Sequence, residues 1–405
     1  MTRGVVIGVV AVVALLGVEA RAGGLPGEVT ADQAVALYRE RSPRLAADRA
    51  ALDVTAADRV DAEIYPNPTL ALGTTNTVHG SDTIGHSQGT VGLELPLLIG
   101  RQRGHRERAA DARLAARRAE LEVDQGRAEL EIRRRFVALQ AAQATQAALD
   151  AALDDARVVR AIVAGRQQAG AKSPYELERT DLALAALSSK RDEATTETAA
   201  ASGALAQAVG VADWQPRAAG EFRPADDAPA APRPDHPELV AGLAAEDAAR
   251  SEQALAHAEA IPTPSLQLQG FGTSDPQGFA VTVGVSIPLP VLDRNQGAVA
   301  RARAQEHAAE LGQRATRAQL SADLARATAI ERDRRAAAAR FAADAIDRLP
   351  RVRAMAESSY RSGQGGIVEL LDALDAITDA RLREIALVAA ALDAALDVRA
   401  AARGR

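Results

Sequence analysis

Residues 279–290 read Phe-Ala-Val-Thr-Val-Gly-Val-Ser-Ile-Pro-Leu-Pro. Phe279, Val281, Val283, Val285 and Ile287 share one parity, and Ala280, Thr282, Gly284 and Ser286 share the other. A period of two marks a strand with one apolar and one polar face. Upstream, in 264–270, Leu266 and Leu268 oppose Gln267 and Gln269. The pattern recurs at 87–96, where Val91, Leu93 and Leu95 oppose Thr90, Gly92 and Glu94. A weaker partner at 68–78 sets Leu70 and Leu72 against Thr69 and Ala71. Segments of roughly ten residues with this alternation are what a transmembrane barrel strand requires, apolar toward lipid and polar toward the lumen. A hairpin packed on a helix alternates in the same way, so one hairpin decides nothing; two at matching positions of an exported chain favour the barrel.

The matching positions come from a duplication, sought first because a missed repeat misreads the whole fold. Ser42-Pro43 is echoed by His236-Pro237, and Tyr65-Pro66-Asn67-Pro68 by Ile261-Pro262-Thr263-Pro264. Leu93-Glu94-Leu95-Pro96 is echoed by Val285-Ser286-Ile287-Pro288, and Gly100-Arg101-Gln102-Arg103-Gly104 by Asp293-Arg294-Asn295-Gln296-Gly297. Gly170, with Glu176-Leu177 beyond it, is echoed by Gly363 with Glu369-Leu370. The landmarks keep one order at one offset, near 193 residues. The chain divides into a signal peptide (1–22), a first repeat (23–213), a Pro- and Asp-rich linker (214–236) and a second repeat (237–405).

Each repeat has the same expected order. A moderate helix comes first, at 31–63 and 237–260, followed by the strand pair. A long helix then runs over 102–167 and 296–361, a glycine-bearing turn reverses the chain, and a returning helix covers 174–209 and 367–402. The last of these carries Leu370, Leu374, Ile377, Ile385, Val388, Leu392 and Leu396, a narrow coiled-coil-like stripe. About 65 helical residues at 1.5 Å each reach about 100 Å, over three times a bilayer core of about 30 Å. Four strands cannot close a membrane barrel, whose smallest members have about eight, and open edges are not tolerated in lipid. Several copies must therefore pool their strands.

Composition agrees. Hydrophobic residues make up 47% of the chain and aromatics only 2%, a balance that suits long, closely packed alanine-rich helices better than a large globular core. The net charge of -6 argues against nucleic acid as a partner. Arg3, the apolar run Val5–Val18 and Ala20-Arg21-Ala22 form an export signal, so the mature chain is expected to begin near Gly23. There is no cysteine, which excludes disulfides, thiolate metal sites, thiol catalysis and a lipid anchored on a cysteine.

With these residues in view, the chain resembles the TolC family of outer-membrane efflux proteins over nearly its whole mature length. Pro288-Leu289-Pro290-Val291-Leu292-Asp293-Arg294-Asn295-Gln296-Gly297 resembles the CzcC-type branch, linked to heavy-metal export. Tyr360-Arg361-Ser362-Gly363 followed by Glu369-Leu370-Leu371-Asp372-Ala373 resembles the second hairpin tip of the family. The resemblance implies a mostly α fold with a small β-barrel portion, assembled as a homotrimeric channel-tunnel in the outer membrane with a long periplasmic extension. It also implies a periplasmic adaptor and a proton-driven inner-membrane pump as partners. A drug or organic-solute channel of the same family, and a soluble periplasmic coiled-coil adaptor or scaffold, are the alternatives.

No catalytic set and no cofactor motif is present, so an enzyme is not expected. The six histidines show no ligand spacing. His79 and His86 flank a Gly/Ser/Asp-rich turn and read as exposed loop residues. The candidate residues lie at the tips. Gly170 and Ala171 in one turn, and Gly363 and Gln364 in the other, are the expected adaptor-docking surface; glycine also suits a simple helix reversal. Glu369 and Asp372, three apart on one helix face, are the expected entrance carboxylates, with Glu176 as the first-repeat counterpart of Glu369. Carboxylates also favour helix N-termini for local reasons. The resemblance implies a hydrogen bond from Tyr360 to Glu176 in a closed entrance. Relatives with a well-studied gate carry an arginine two residues after the tip glycine; here that residue is Gly365, so an arginine latch lacks its usual residue.

Overall fold

A computed structural model describes residues 25–76, 87–168, 174–223, 233–273 and 278–404. The signal peptide, His79, His86, the first tip with Gly170 and Ala171, and part of the linker lie outside the described residues.

Thr30 opens α1 (Ala31–Arg41) through a capping box with Gln33. The single helix expected over 31–63 is two helices. Pro43 has no N–H and disfavours a helical residue before it, so Ser42 turns extended and caps α2 (Pro43–Glu63) instead. Strands β2 (Thr69–Asn76) and β3 (Ser87–Pro96) lead into α3 (Gln102–Gln168), whose 67 residues are unbroken, and α4 (Pro174–Val209) returns along it. The second repeat supplies α5 (Pro237–Glu259), β5 (Ser265–Thr273), β6 (Phe279–Ser286), α6 (Gln296–Asp344), α7 (Leu349–Ser362) and α8 (Ile367–Arg403). The helix expected over 296–361 is therefore also broken. Pro350 stands in the first turn of α7, and a 3-10 turn at Ile346–Arg348 bridges from α6. In an α-helix the Pro350 ring would clash with the Ile346 carbonyl and leave it unbonded, so the chain restarts there.

The duplication is written into the backbone. Arg101 and Asn295, 194 residues apart, both open their long helices in the left-handed region, at φ 54° and 60°. Gly210 and Gly404, again 194 apart, end the returning helices at φ 83° and 72°. Each glycine lies against the proline that starts a helix of its own repeat, α2 or α5; a Cβ would meet Pro43 Cδ at 3.0 Å or Pro237 Cδ at 2.6 Å. The strand-to-helix corners match too: Gln102 Oε1 accepts from Gly100 N at 3.0 Å and Gln296 Oε1 from Arg294 N at 2.7 Å.

The first core cluster gathers Val35, Tyr38, Ile132, Phe136, Leu139 and Leu205. Trp214, at the head of the expected linker, is buried in it and donates its indole N–H to Pro26 O at 3.0 Å. Beside it β1 (Glu28–Val29) pairs in parallel with β4 (Arg217–Ala218). The linker thus begins inside the packed first repeat.

The four long strands form one antiparallel sheet in the order β2-β3-β5-β6. Register places Leu70, Leu93, Leu268 and Val283 in one row across it, and Leu72, Val91, Gly270 and Val281 in the next. This apolar face is bare: Leu72 is 73% and Val283 69% exposed. The other face presents Thr69, Glu94, Gln267 and Gly284 in one row and Ala71, Gly92, Gln269 and Thr282 in the next. Among the described residues no helix is long and apolar enough to cross a membrane.

Candidate functional site

At the end of the molecule far along the helices from the sheet, α7 turns into α8. Gly363 sits at φ 76°, a conformation open to glycine and costly for other residues. Its N–H donates to Tyr360 O at 3.2 Å, and those of Gln364 and Gly365 donate to Ser359 O at 3.1 Å each. Gln364 is exposed on this turn. A Cβ on Gly365 would lie 2.7 Å from both Glu369 Oε2 and Ser359 Oγ. The position where relatives carry an arginine therefore has no room for a side chain while Glu369 keeps its place.

Glu369 uses that place to cap α8, accepting from Gly366 N at 2.7 Å. It is exposed, as is Asp372 one turn on, so the two expected entrance carboxylates lie on solvent. Asp375 and Asp379 continue the exposed acidic row at helical spacing, a run that the sequence reading stopped short of.

Tyr360 is the centre of the site. Its ring is 1% exposed, packed among Val159, Val163, Ile367, Leu370 and Leu371. Its hydroxyl donates to Glu176 Oε2 at 3.1 Å, linking α7 to the start of α4. Burial pushes the phenol up from its ordinary pKa, and the hydrogen bond to the Glu176 carboxylate and its charge push the same way, against the pull of Arg166. The phenol therefore stays a donor at any physiological pH.

The residue that sequence reasoning missed is Arg166, in the last turn of α3. Its guanidinium donates to Tyr360 O at 3.0 Å and Arg361 O at 2.7 Å, and lies 4.9 Å from the centre of the Tyr360 ring. One cation thus caps the carbonyl end of α7 and stacks on its buried tyrosine. Farther from the tip, Arg353 of α7 grips Asp155 of α3 through two bonds of 2.6 Å and reaches Glu357 at 2.9 Å. A last-turn arginine beside a tip is a faint sequence signal; the Asp155–Arg353 pair, 198 residues apart, leaves none. Among the described residues no group of three or more His, Asp or Glu side chains could hold a metal ion.

A bare apolar sheet face at one end of helices this long, with open strand edges, defines the class: a membrane channel subunit with a long helical extension. The chain belongs to the outer membrane efflux protein family, whose profile matches residues 34–211 and 233–402. It is 24% identical over 383 residues to the cobalt-zinc-cadmium resistance protein CzcC of Cupriavidus metallidurans, spanning 92% of this chain and 89% of that one. Its fold superposes on CusC with a TM-score of 0.76 at 15% identity, covering 93% of each chain. VceC of Vibrio cholerae matches with a TM-score of 0.72 at 17% identity, covering 92% of this chain and 95% of that one. The protein is thus an outer-membrane channel with a helical periplasmic extension, a passive duct and not an enzyme. The soluble adaptor or scaffold is set aside with that membership.

Proposed function

We propose that this chain is the outer-membrane exit duct of a tripartite efflux system, working as a homotrimer with a periplasmic adaptor and a proton-driven inner-membrane pump, and carrying heavy-metal cations. The observation that carries the assembly is the open sheet. Within one chain, β3 of the first repeat pairs with β5 of the second, matching Leu93 to Leu268. Leu97 N then donates to Pro264 O at 2.7 Å at the sheet base. By the duplication, β6 of one copy meets β2 of the next in the same way, with Val285 opposite Leu72 and Ser286 opposite Ala71. Three copies of four strands give twelve, within the range of membrane barrels. The cargo reading rests on the likeness to a cobalt-zinc-cadmium resistance protein and on the Pro288–Gly297 stretch. In a trimer, Glu369 and Asp372 contribute six carboxylates around the entrance, a ring that favours multivalent cations. The two tips, Gly170-Ala171 and Gly363-Gln364, face the adaptor, and Tyr360 with Glu176 holds the entrance closed.

The test is a disulfide across the seam. Ser286→Cys with Ala71→Cys, both on the polar face, is expected to give covalent trimers in outer-membrane fractions. Monomers alone, or ladders beyond three, overturn the trimer. Cells lacking the protein are expected to become sensitive to cobalt, zinc or cadmium; unchanged metal tolerance with new sensitivity to organic toxicants overturns the cargo.

A further inference from the structure

We propose that the cavity between the two helical hairpins is a binding site for a small organic ammonium ion with an apolar body, its charge held by Asp375. The cavity, about 330 Å³, lies where α3 and α4 of one hairpin face α7 and α8 of the other. That volume falls within the roughly 300–1,000 Å³ of small-molecule sites. Ala148, Ala151, Ala152 and Ala156 form its α3 wall, at helical spacing, and Leu374 and Ile377 of α8 form the wall opposite. The break before α7 sets Leu349 and Pro350 at the same space, so the hairpins meet here across a gap and not through packed side chains. Alanine, leucine, isoleucine and proline make up most of the lining, and an apolar group that displaces poorly held water from these walls gains affinity.

The charges at the rim select the ligand. Asp155 is committed to Arg353 through both oxygens, at 2.6 Å each. Arg381 donates to Glu384 at 3.0 Å. Asp375 alone among the charged lining residues has no hydrogen bond or ion pair to another described residue. An apolar space with one uncompensated carboxylate at its mouth fits a single positive charge on a body about the size of one aromatic ring. It disfavours anions, and a neutral molecule brings no charge to the carboxylate. Binding here is independent of the exit-duct reading, since it is measured on the isolated protein.

The experiment uses the full chain in zwitterionic nanodiscs, with empty nanodiscs as the blank. The probes are 2-phenylethylamine and its neutral counterpart 2-phenylethanol, followed by ligand-detected NMR and calorimetry. The amine is expected to bind saturably, one per chain, about three- to fivefold tighter than the alcohol, the size of an ion pair at a half-open rim. Asp375→Asn, a conservative change at an exposed position, is expected to erase that preference while leaving the alcohol unchanged. Ala152→Leu, which fills the cavity, is expected to abolish both. The proposal is overturned if the amine shows no saturable binding, if amine and alcohol bind alike in the native protein, or if Asp375→Asn leaves the preference intact. Binding that survives in Ala152→Leu, with the native helix content retained, overturns the location.

Discussion

Replacing Arg166 by alanine tests the coupling of α7 to α3. The change removes two charge-assisted hydrogen bonds, to Tyr360 O and Arg361 O, and the stacking on Tyr360. Hydrogen bonds to charged groups contribute about 1.5–3 kcal/mol when shielded, and an exposed cation–π contact about 0.5–1 kcal/mol. The Arg361 bond is exposed and the Tyr360 bond only part-buried, so water takes over much of both carbonyls in the variant and the net loss falls to about 1–2 kcal/mol. Local opening of the α7 end then becomes roughly 5–30 times more frequent. The reporters are the amides of Gly363, Gln364 and Gly365, whose acceptors are the carbonyls of Tyr360 and Ser359. Hydrogen exchange read by mass spectrometry on peptides spanning 349–366 is expected to speed up by that factor, with peptides from α5 unchanged. Arg166→Lys, which keeps the charge but lacks the planar fork, is expected to fall between. Native protection in Arg166→Ala would refute the reasoning and leave the burial of Tyr360 as the tie that matters.

The other expectations concern membrane, entrance and pH. Val283→Arg puts a cation on the bare sheet face and costs about 2–4 kcal/mol per copy near the bilayer midplane, so assembly in outer-membrane fractions should fall sharply; wild-type yield would place Val283 away from lipid. Glu369→Gln with Asp372→Asn should lower cation selectivity and weaken trivalent-cation block in bilayer recordings, and it should do so most at low ionic strength; equal behaviour in both would move the filter elsewhere. Asp393 of α8 is largely covered, its Oδ1 has no hydrogen-bond partner among the described residues, and burial raises its pKa. Arg134 and Arg334 pull the pKa down, while Asp397 and Glu131 push it up. A raised native pKa means that the folded protein binds more protons than the unfolded chain between the two values, so stability falls as pH rises through that window, and the penalty persists above it. Asp393→Asn should therefore raise the melting temperature at neutral pH, with the gain vanishing below the ordinary aspartate range; an equal gain at every pH would exclude the titration.

The strands and helix spans were legible because each rests on a local period. Phe279 to Ile287 alternate without a fault, and the long helices carry alanine and charge for many turns. Where the reading went astray, a strong period hid one local signal. Ser42-Pro43 is a helix boundary as well as a repeat landmark, and Pro350 is a lone breaker inside a long helical run. The capping role of Glu369 was foreseeable, since a carboxylate three residues after a glycine turn is a local motif. The grip of Arg353 on Asp155, and of Arg166 on the end of α7, arises only when two hairpins nearly 200 residues apart are laid side by side. No window on the sequence spans that distance.

The two long helical arms are not alike, although they descend from one repeat. In the second, Pro350 introduces a joint; the corresponding residue of the first, 193 positions earlier, is Arg157, and α3 runs straight through it. A ring of identical single repeats would have to joint all of its arms or none. In the proposed trimer, duplication within one chain would set three jointed arms alternately with three unbroken ones around the ring, a pattern that identical repeats could not give.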